Sequence, residues 1–133
     1  MQGSNQLNLK KIHHAAIICS DYQVSKDFYT NVLGLKILAE NYRAERDSFK
    51  LDLQVGDNQI ELFSFPQPPK RVSNPEAAGL RHLAFEVTNI DEWVNKLSAH
   101  NVEVEPVRVD EFTGKKFTFF RDPDGLPLEV YEQ

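Results

Sequence analysis

Residues 13–29 read HHAAIICSDYQVSKDFY and residues 81–97 read RHLAFEVTNIDEWVNKL, and the two can be written one above the other at an offset of 68 residues without a gap. Each opens on a short apolar run, which predicts a strand, and passes into apolar positions at helical spacing. In the first copy Ser20, followed three positions later by Gln23, has the form of a capping box. Val24, Phe28 and Val32 then recur along one helix face until Gly34 ends it. In the second copy Thr88 or Asn89 can cap, Ile90, Trp93, Val94 and Leu97 form the apolar face, and Asn101 can close the helix. Three strands are predicted after each helix: Lys36–Tyr42, Ser48–Val55 and Asn58–Ser64 in the first copy, Glu103–Arg108, Lys115–Arg121 and Pro127–Glu132 in the second. Gly56-Asp57 and Asp122-Pro123-Asp124-Gly125 supply tight turns. The chain thus reads as an α+β fold in which strand, helix and three strands occur twice. Module one covers about 9–65, a connector with four prolines covers 65–79, and module two covers 80–133. Residues 1–8 read as a tail or cloning remnant and carry no fold information.

Composition narrows the classes of function. A hydrophobic fraction of 41% beside a charged fraction of 26% is that of a folded globular chain, and 133 residues suffice for a proper core. The net charge is −5 and no basic cluster exceeds two residues, which speaks against a nucleic-acid partner. No apolar run approaches a membrane span and the N-terminus lacks a signal-peptide core, so no membrane partner is expected and the cytoplasm is the expected location. The lone cysteine, Cys19, sits in an apolar strand and reads as a small buried hydrophobe.

Four residues resist that bland reading. His14 and His82 share the offset of 68, and so do Glu61 in QIELFSF and Glu129 in PLEVYEQ. Each glutamate stands between apolar neighbours in a strand, where a charge is costly unless it is paired or bound to a metal. Taken singly, a strand histidine is more often a hydrogen-bonded core residue and a strand glutamate usually lies on the wet face. Two imidazoles and two carboxylates at repeated positions would instead hold one divalent cation. The carboxylates neutralise its charge, and an octahedral ion keeps two positions open for substrate oxygens. Register makes His14 the inward histidine, because it matches His82, and His13 its outward neighbour. His100, near Asn101, is explained by a helix end.

The duplicated pattern, with HHAAIICSDYQVSKDFYTNVLGL at the start, GLRHLAFEV in the middle and RDPDGLPLEVYE at the end, resembles the vicinal oxygen chelate superfamily, and within it the small bacterial glyoxalase I-like proteins. The resemblance runs from Leu9 to Glu132. It implies the glyoxalase/bleomycin resistance/dihydroxybiphenyl dioxygenase fold, with two βαβββ modules whose curved mixed sheets surround a metal cleft, often completed in a homodimer. The family's ligand positions fall on His14, Glu61, His82 and Glu129. One divalent metal is implied, zinc or nickel first, with cobalt, manganese or iron as further candidates. So is a lyase or isomerase reaction in which a glutamate, Glu129 ahead of Glu61, moves a proton beside a metal-stabilised enediolate of a small substrate. Ile18 stands where the family commonly places an arginine for glutathione, and Phe63-Ser64-Phe65 where an asparagine often helps, which points away from glutathione. Arg43, Arg46, Lys50, Lys116 and Arg121 are the candidate anion contacts, and Phe117, Phe119 and Phe120 are core or pocket residues. Rival readings are a metal-free antibiotic-binding module, a thioester epimerase, a fosfomycin-type thiol transferase and an extradiol dioxygenase. The last two rely on three protein ligands, and Glu61 counts against both.

Overall fold

A computed structural model describes residues 7–133. Its elements are β1 (His14–Cys19), α1 (Tyr22–Asp27), β2 (Lys36–Arg43), β3 (Ser48–Val55), β4 (Asn58–Ser64), β5 (Leu83–Val87), α2 (Ile90–Ala99), β6 (Arg108–Val109), β7 (Lys116–Arg121) and β8 (Pro127–Glu132). They form two four-stranded sheets with the same order, β1-β4-β3-β2 and β5-β8-β7-β6. In each, the first strand pairs parallel to the last while the remaining contacts are antiparallel. The parallel pairing follows from the helical crossover, which returns the chain in the same direction. This is the duplicated α+β architecture that the repeat implied. Of the tail read over 1–8, residues 1–6 lie outside the described residues, and Leu7 and Asn8 are exposed.

Three details differ from the sequence reading. Asp21, not Ser20, caps α1: its carboxylate accepts from the Val24 N–H at 3.2 Å. Ser20 serves the other module instead, since its backbone N–H and hydroxyl both donate to the Asp124 carboxylate of the β7–β8 turn. The helix also changes pitch, continuing from Phe28 to Val32 as a π-helical turn. That places Tyr22, Ser25, Phe28, Tyr29 and Val32 in the interior and leaves Val24 about half exposed. Finally, the strand expected over Glu103–Arg108 is reduced to an isolated bridge between Val104 and Phe120 followed by the two-residue β6. Pro106 lies between them, and without an N–H it cannot continue the ladder. The second helix keeps to expectation, with Asn89 as cap and Ile90 and Leu97 buried.

One hydrophobic cluster joins the modules. Phe28 meets Phe120 with ring centroids 6.4 Å apart, and Leu51, Leu53, Ile60 and Leu62 of the first sheet belong to the same core as Leu128 and Val130 of the second. Tyr29, fully buried, donates to Asp122 at 2.7 Å, and Asp122 also accepts from the backbone N–H groups of Asp124 and Leu126. The Gly125 N–H returns to the Asp122 carbonyl at 3.0 Å, closing the RDPDG turn. Burial still lifts the Asp122 carboxyl above the usual range despite these donors. The Asp-Pro-Asp-Gly stretch thus fastens the two modules together.

Cys19 is buried at 1% exposure, and burial, helped by the nearby Asp124 charge, pushes its thiol up to about 11. A thiol with so little thiolate at pH 8 is a poor nucleophile. Labelling by a thiol reagent at that pH is expected to be negligible in the native protein and complete in denaturant. Rapid native labelling would contradict the placement of this strand.

Candidate metal centre

Because the core claims one face of each sheet, alternation decides what the other face carries. In β4, Ile60 and Leu62 are buried, so Gln59, Glu61 and Phe63 share the outer face. On β1 that face carries His14, Ala16 and Ile18, with Ala16 in register with Glu61. In β8, Leu128 and Val130 face the core, and Glu129 lies on the outer face in register with Ala84 and Phe119. His82 precedes β5 on the same side.

The result is two histidine–glutamate pairs, one on each sheet. His14 Nε2 stands 3.6 Å from Glu61 Oε1, and His82 Nε2 stands 3.2 Å from Glu129 Oε1. Two atoms bound to a common ion at ordinary metal–ligand distances lie roughly 3.0–3.4 Å apart, so the His82–Glu129 pair has the spacing of two neighbouring ligands and the His14–Glu61 pair is slightly wider. The donor chemistry, imidazole nitrogen beside carboxylate oxygen, suits zinc, nickel and similar divalent ions. The glutamate side chains are 15% and 11% exposed, the histidines 41% and 28%, so each pair is sheltered at its carboxylate and open at its imidazole. Among the described residues no three histidine, cysteine, aspartate or glutamate side chains gather into one metal-holding group. The four expected ligands are therefore not gathered at one point of the single chain: among the described residues they stand as two separate histidine–glutamate pairs on outward faces.

His13 lies before the first residue of β1, where strand alternation does not govern it. It is not simply turned away, because its Nδ1 is 2.9 Å from Nδ1 of His14. One ring donates and the other accepts. The bond leaves His14 Nε2 free on the side of Glu61, which is how neighbours usually orient a ligating imidazole. On the second sheet His82 is packed by Phe119, whose ring meets it edge to face at 5.0 Å.

The candidate anion contacts separate. Lys50 is beside the first pair, 2.9 Å from Asp52 and 3.9 Å from Glu61. Arg43 is on that face too, its guanidinium over Phe63 and Phe65 at 5.0 and 5.8 Å. Arg46 sits in the exposed turn between β2 and β3. Lys116 is not brought to the second pair. It shares the helix-facing side of β7 with Thr118 and Phe120 and approaches Asp91 of α2 at 3.9 Å, because an even spacing from those buried residues fixes its face. Arg121 does lie on the side of Phe119 and Glu129. The aromatic trio divides by the same alternation: Phe120 enters the core, whereas Phe117 and Phe119 face the site.

Sequence reasoning missed Arg108 and the connector. The guanidinium of Arg108 lies 5.2 Å over Phe117 and 5.5 Å over Phe119. The connector folds across the second sheet, held by Arg71, which donates to the carbonyls of Leu80 and Arg81 at 3.1 Å each. Beneath it is a cavity of about 350 Å³ with His82, Phe119 and Arg121 in its wall.

A family model for the glyoxalase/bleomycin resistance protein/dioxygenase superfamily matches residues 11–130. The uncharacterized protein YwkD of Bacillus subtilis is 60% identical over 126 residues, spanning 94% of this chain and 98% of its own length. The crystal structure of a glyoxalase family protein from Enterococcus faecalis superposes with a TM-score of 0.86 at 54% identity, covering 92% of this chain and 98% of that one. Lactoylglutathione lyase from Agrobacterium tumefaciens has the same fold, with a TM-score of 0.71 at 26% identity over 94% of this chain and 95% of its own.

Proposed function

Since the chain belongs to the glyoxalase/bleomycin resistance protein/dioxygenase superfamily, we propose that it is a divalent-metal-dependent lyase or isomerase of glyoxalase I type, acting in the cytoplasm on a small oxygenated substrate. The observation that carries this reading is the occurrence of a histidine–glutamate pair at equivalent positions of two repeated sheets, 3.6 Å apart in the first and 3.2 Å in the second. The likeness to lactoylglutathione lyase supports the reaction type.

His14 and Glu61 of one protomer, with His82 and Glu129 of its partner, would hold one ion, and a twofold homodimer would contain two such centres. The outward faces support this arrangement, as does Ile18, an apolar side chain 55% exposed beside the first half-site. When bound, a divalent ion supplies Lewis acidity, stabilising negative charge that develops on substrate oxygens. The chain's own residues do the rest. Glu129, the more sheltered of the two carboxylates, takes the proton from the carbon next to the substrate carbonyl and returns it to the neighbouring carbon, which converts an α-oxoaldehyde–thiol adduct into a thioester. Phe119 and Ala84, in register with Glu129 on the same face, limit access of water to that carboxylate. His82 and His14 position the glutamates and are themselves held by Phe119 and His13. The exposed Ile18 favours a thiol other than glutathione.

Elemental mass spectrometry on untagged protein tests the premise. About one zinc or nickel per chain is expected in the wild type, since two sites serve two chains, with loss in both Glu61→Gln and His82→Ala. Protein that is metal-free and refuses added nickel or zinc would overturn the proposal in favour of a binding module.

A further inference from the structure

The cavity beside His82 has a charge pattern that the reaction type alone does not require. Four arginines line it, Arg71, Arg81, Arg108 and Arg121, against two carboxylates, Glu76 and Glu105. Two positive charges are thus in excess in a chain whose net charge is −5. The four are not equivalent. Arg81 is matched by Glu76, to which it donates at 2.7 and 3.3 Å. Arg71 is occupied in holding the connector through backbone carbonyls and Ser73, so its hydrogen bonds are used while its charge is not neutralised. Arg108 is paired with Glu105 at 2.9 Å through one of its donors, so the unmatched charges are those of Arg71 and Arg121, and Phe117 and Phe119 steady Arg108 from below. Arg121 follows Phe119 by two positions on the same face.

Guanidinium groups with free donors match a carboxylate or phosphoryl group through paired hydrogen bonds, and stacking on aromatic rings holds them ready at little entropic cost. A volume of about 350 Å³ is in the range of small-molecule sites, and the connector walls it on one side. Phe119 links the two functions, since the same ring touches Arg108 and His82.

We propose that this cavity is an anion subsite, in which Arg108 and Arg121, supported by the field of Arg71, bind a carboxylate or phosphoryl group of the substrate. The substrate is accordingly a small organic acid or phosphate ester whose charged end lies under the connector while its reacting end reaches the histidine–glutamate centre. The location of the reacting end rests on the metal-dependent reading above; the anion site itself does not.

The test uses the full-length protein after removal of metal by chelator and dialysis, so that no cation contributes to anion binding. Inorganic phosphate and malonate are titrated separately by calorimetry, with the arginine Nε–H resonances followed by NMR. Saturable binding of at least one anion is expected, with the Arg108 and Arg121 resonances moving and that of Arg46 unmoved. Arg108→Gln and Arg121→Gln should each weaken binding about tenfold or more, the size expected for losing a charge-assisted bond. Arg108→Lys should restore part of it, and Lys115→Gln should have no effect. Tighter binding of phosphate identifies a phosphoryl-bearing substrate, tighter binding of malonate a carboxylate. No saturable binding of either anion, or binding indifferent to both glutamine variants, would overturn the proposal. The wild-type NMR titration decides the matter even if a variant fails to fold. Metal content measured on the same preparation before chelation keeps the two readings separate: a chain that binds anion but no metal loses the metal-dependent proposal and retains this one.

Discussion

Glu129→Gln is expected to lower turnover of an α-oxoaldehyde–thiol adduct by about 10²–10⁴-fold, the range in which a positioned general base contributes. The amide has the same shape and keeps a carbonyl oxygen for the metal, so the protein should fold as before and retain at least part of its ion. What it cannot do is accept the substrate proton. Glu61→Gln likewise weakens a ligand but leaves the Glu129 acceptor in place, and should reduce metal occupancy more than it reduces the rate per bound metal. Turnover normalised to bound metal separates the two. Equal normalised losses in both variants would mean that the pseudo-symmetric carboxylates share the proton transfer. An unchanged rate in Glu129→Gln would remove Glu129 from the chemistry.

The second large effect is on stability. Phe120 is 2% exposed, touches the Phe28 ring from the other module, and borders a small apolar cavity of about 140 Å³ lined also by Leu33, Leu35, Phe85, Trp93 and Val130. Truncation to alanine would add the volume of the lost ring to that pocket. Phe120→Ala should therefore cost about 3–5 kcal/mol, a large share of the stability of a domain this size. Urea denaturation followed by tryptophan fluorescence measures it, Trp93 reporting from the cavity wall. A loss below about 1 kcal/mol, the level of a surface change, would contradict the shared core. The neighbouring Phe119→Ala should leave stability closer to that of the wild type and disturb the His82 half-site instead, because it lies on the opposite face of β7.

That contrast between adjacent phenylalanines shows what the sequence makes legible. Strand alternation anchored by Leu128 and Val130 was enough to put Glu129 on the outer face, and the repeat carried the same reasoning to Glu61. The two-sheet duplication, and the outer-face placement of the four candidate residues, could be read from local pattern because they follow from periodicity. What could not be read was anything set by contact between distant segments. Ser20 has the spacing of a helix cap, yet Asp124, 104 positions later, captures it. His13 lies just outside the strand, so no alternation rule applied to its bond with His14. Pro106 could have warned that the strand over Glu103–Arg108 would be interrupted. The connector was legible only as a proline-rich link. Its place over the second sheet depends on Arg71 gripping the carbonyls of Leu80 and Arg81, an interaction without a sequence signature. Arg108, separated from Phe117 by a turn, could be joined to it only through the β6–β7 register.

The same logic separates the face a residue takes from the way two faces meet. Position along a strand determines which face a side chain takes, whereas the meeting of two faces depends on how whole modules pack. Here the helices and the buried sheet faces occupy the interior, and the histidine–glutamate pairs are left on separate outer surfaces. The proposed ion with four protein ligands would therefore draw on faces from two protomers.

Mixing two inactive variants tests that requirement most directly. Metal-free His14→Ala and His82→Ala homodimers each lack a ligand at every site. Subunits are exchanged by mild denaturation and refolding, and nickel or zinc is added. In a mixed dimer one site collects both substitutions and the other collects none. Random exchange should therefore restore metal binding and turnover to about one quarter of the wild-type level, from two variants that have almost none alone. If all four ligands of each site came from one chain, every site would carry one substitution whatever the mixture, and no recovery would appear.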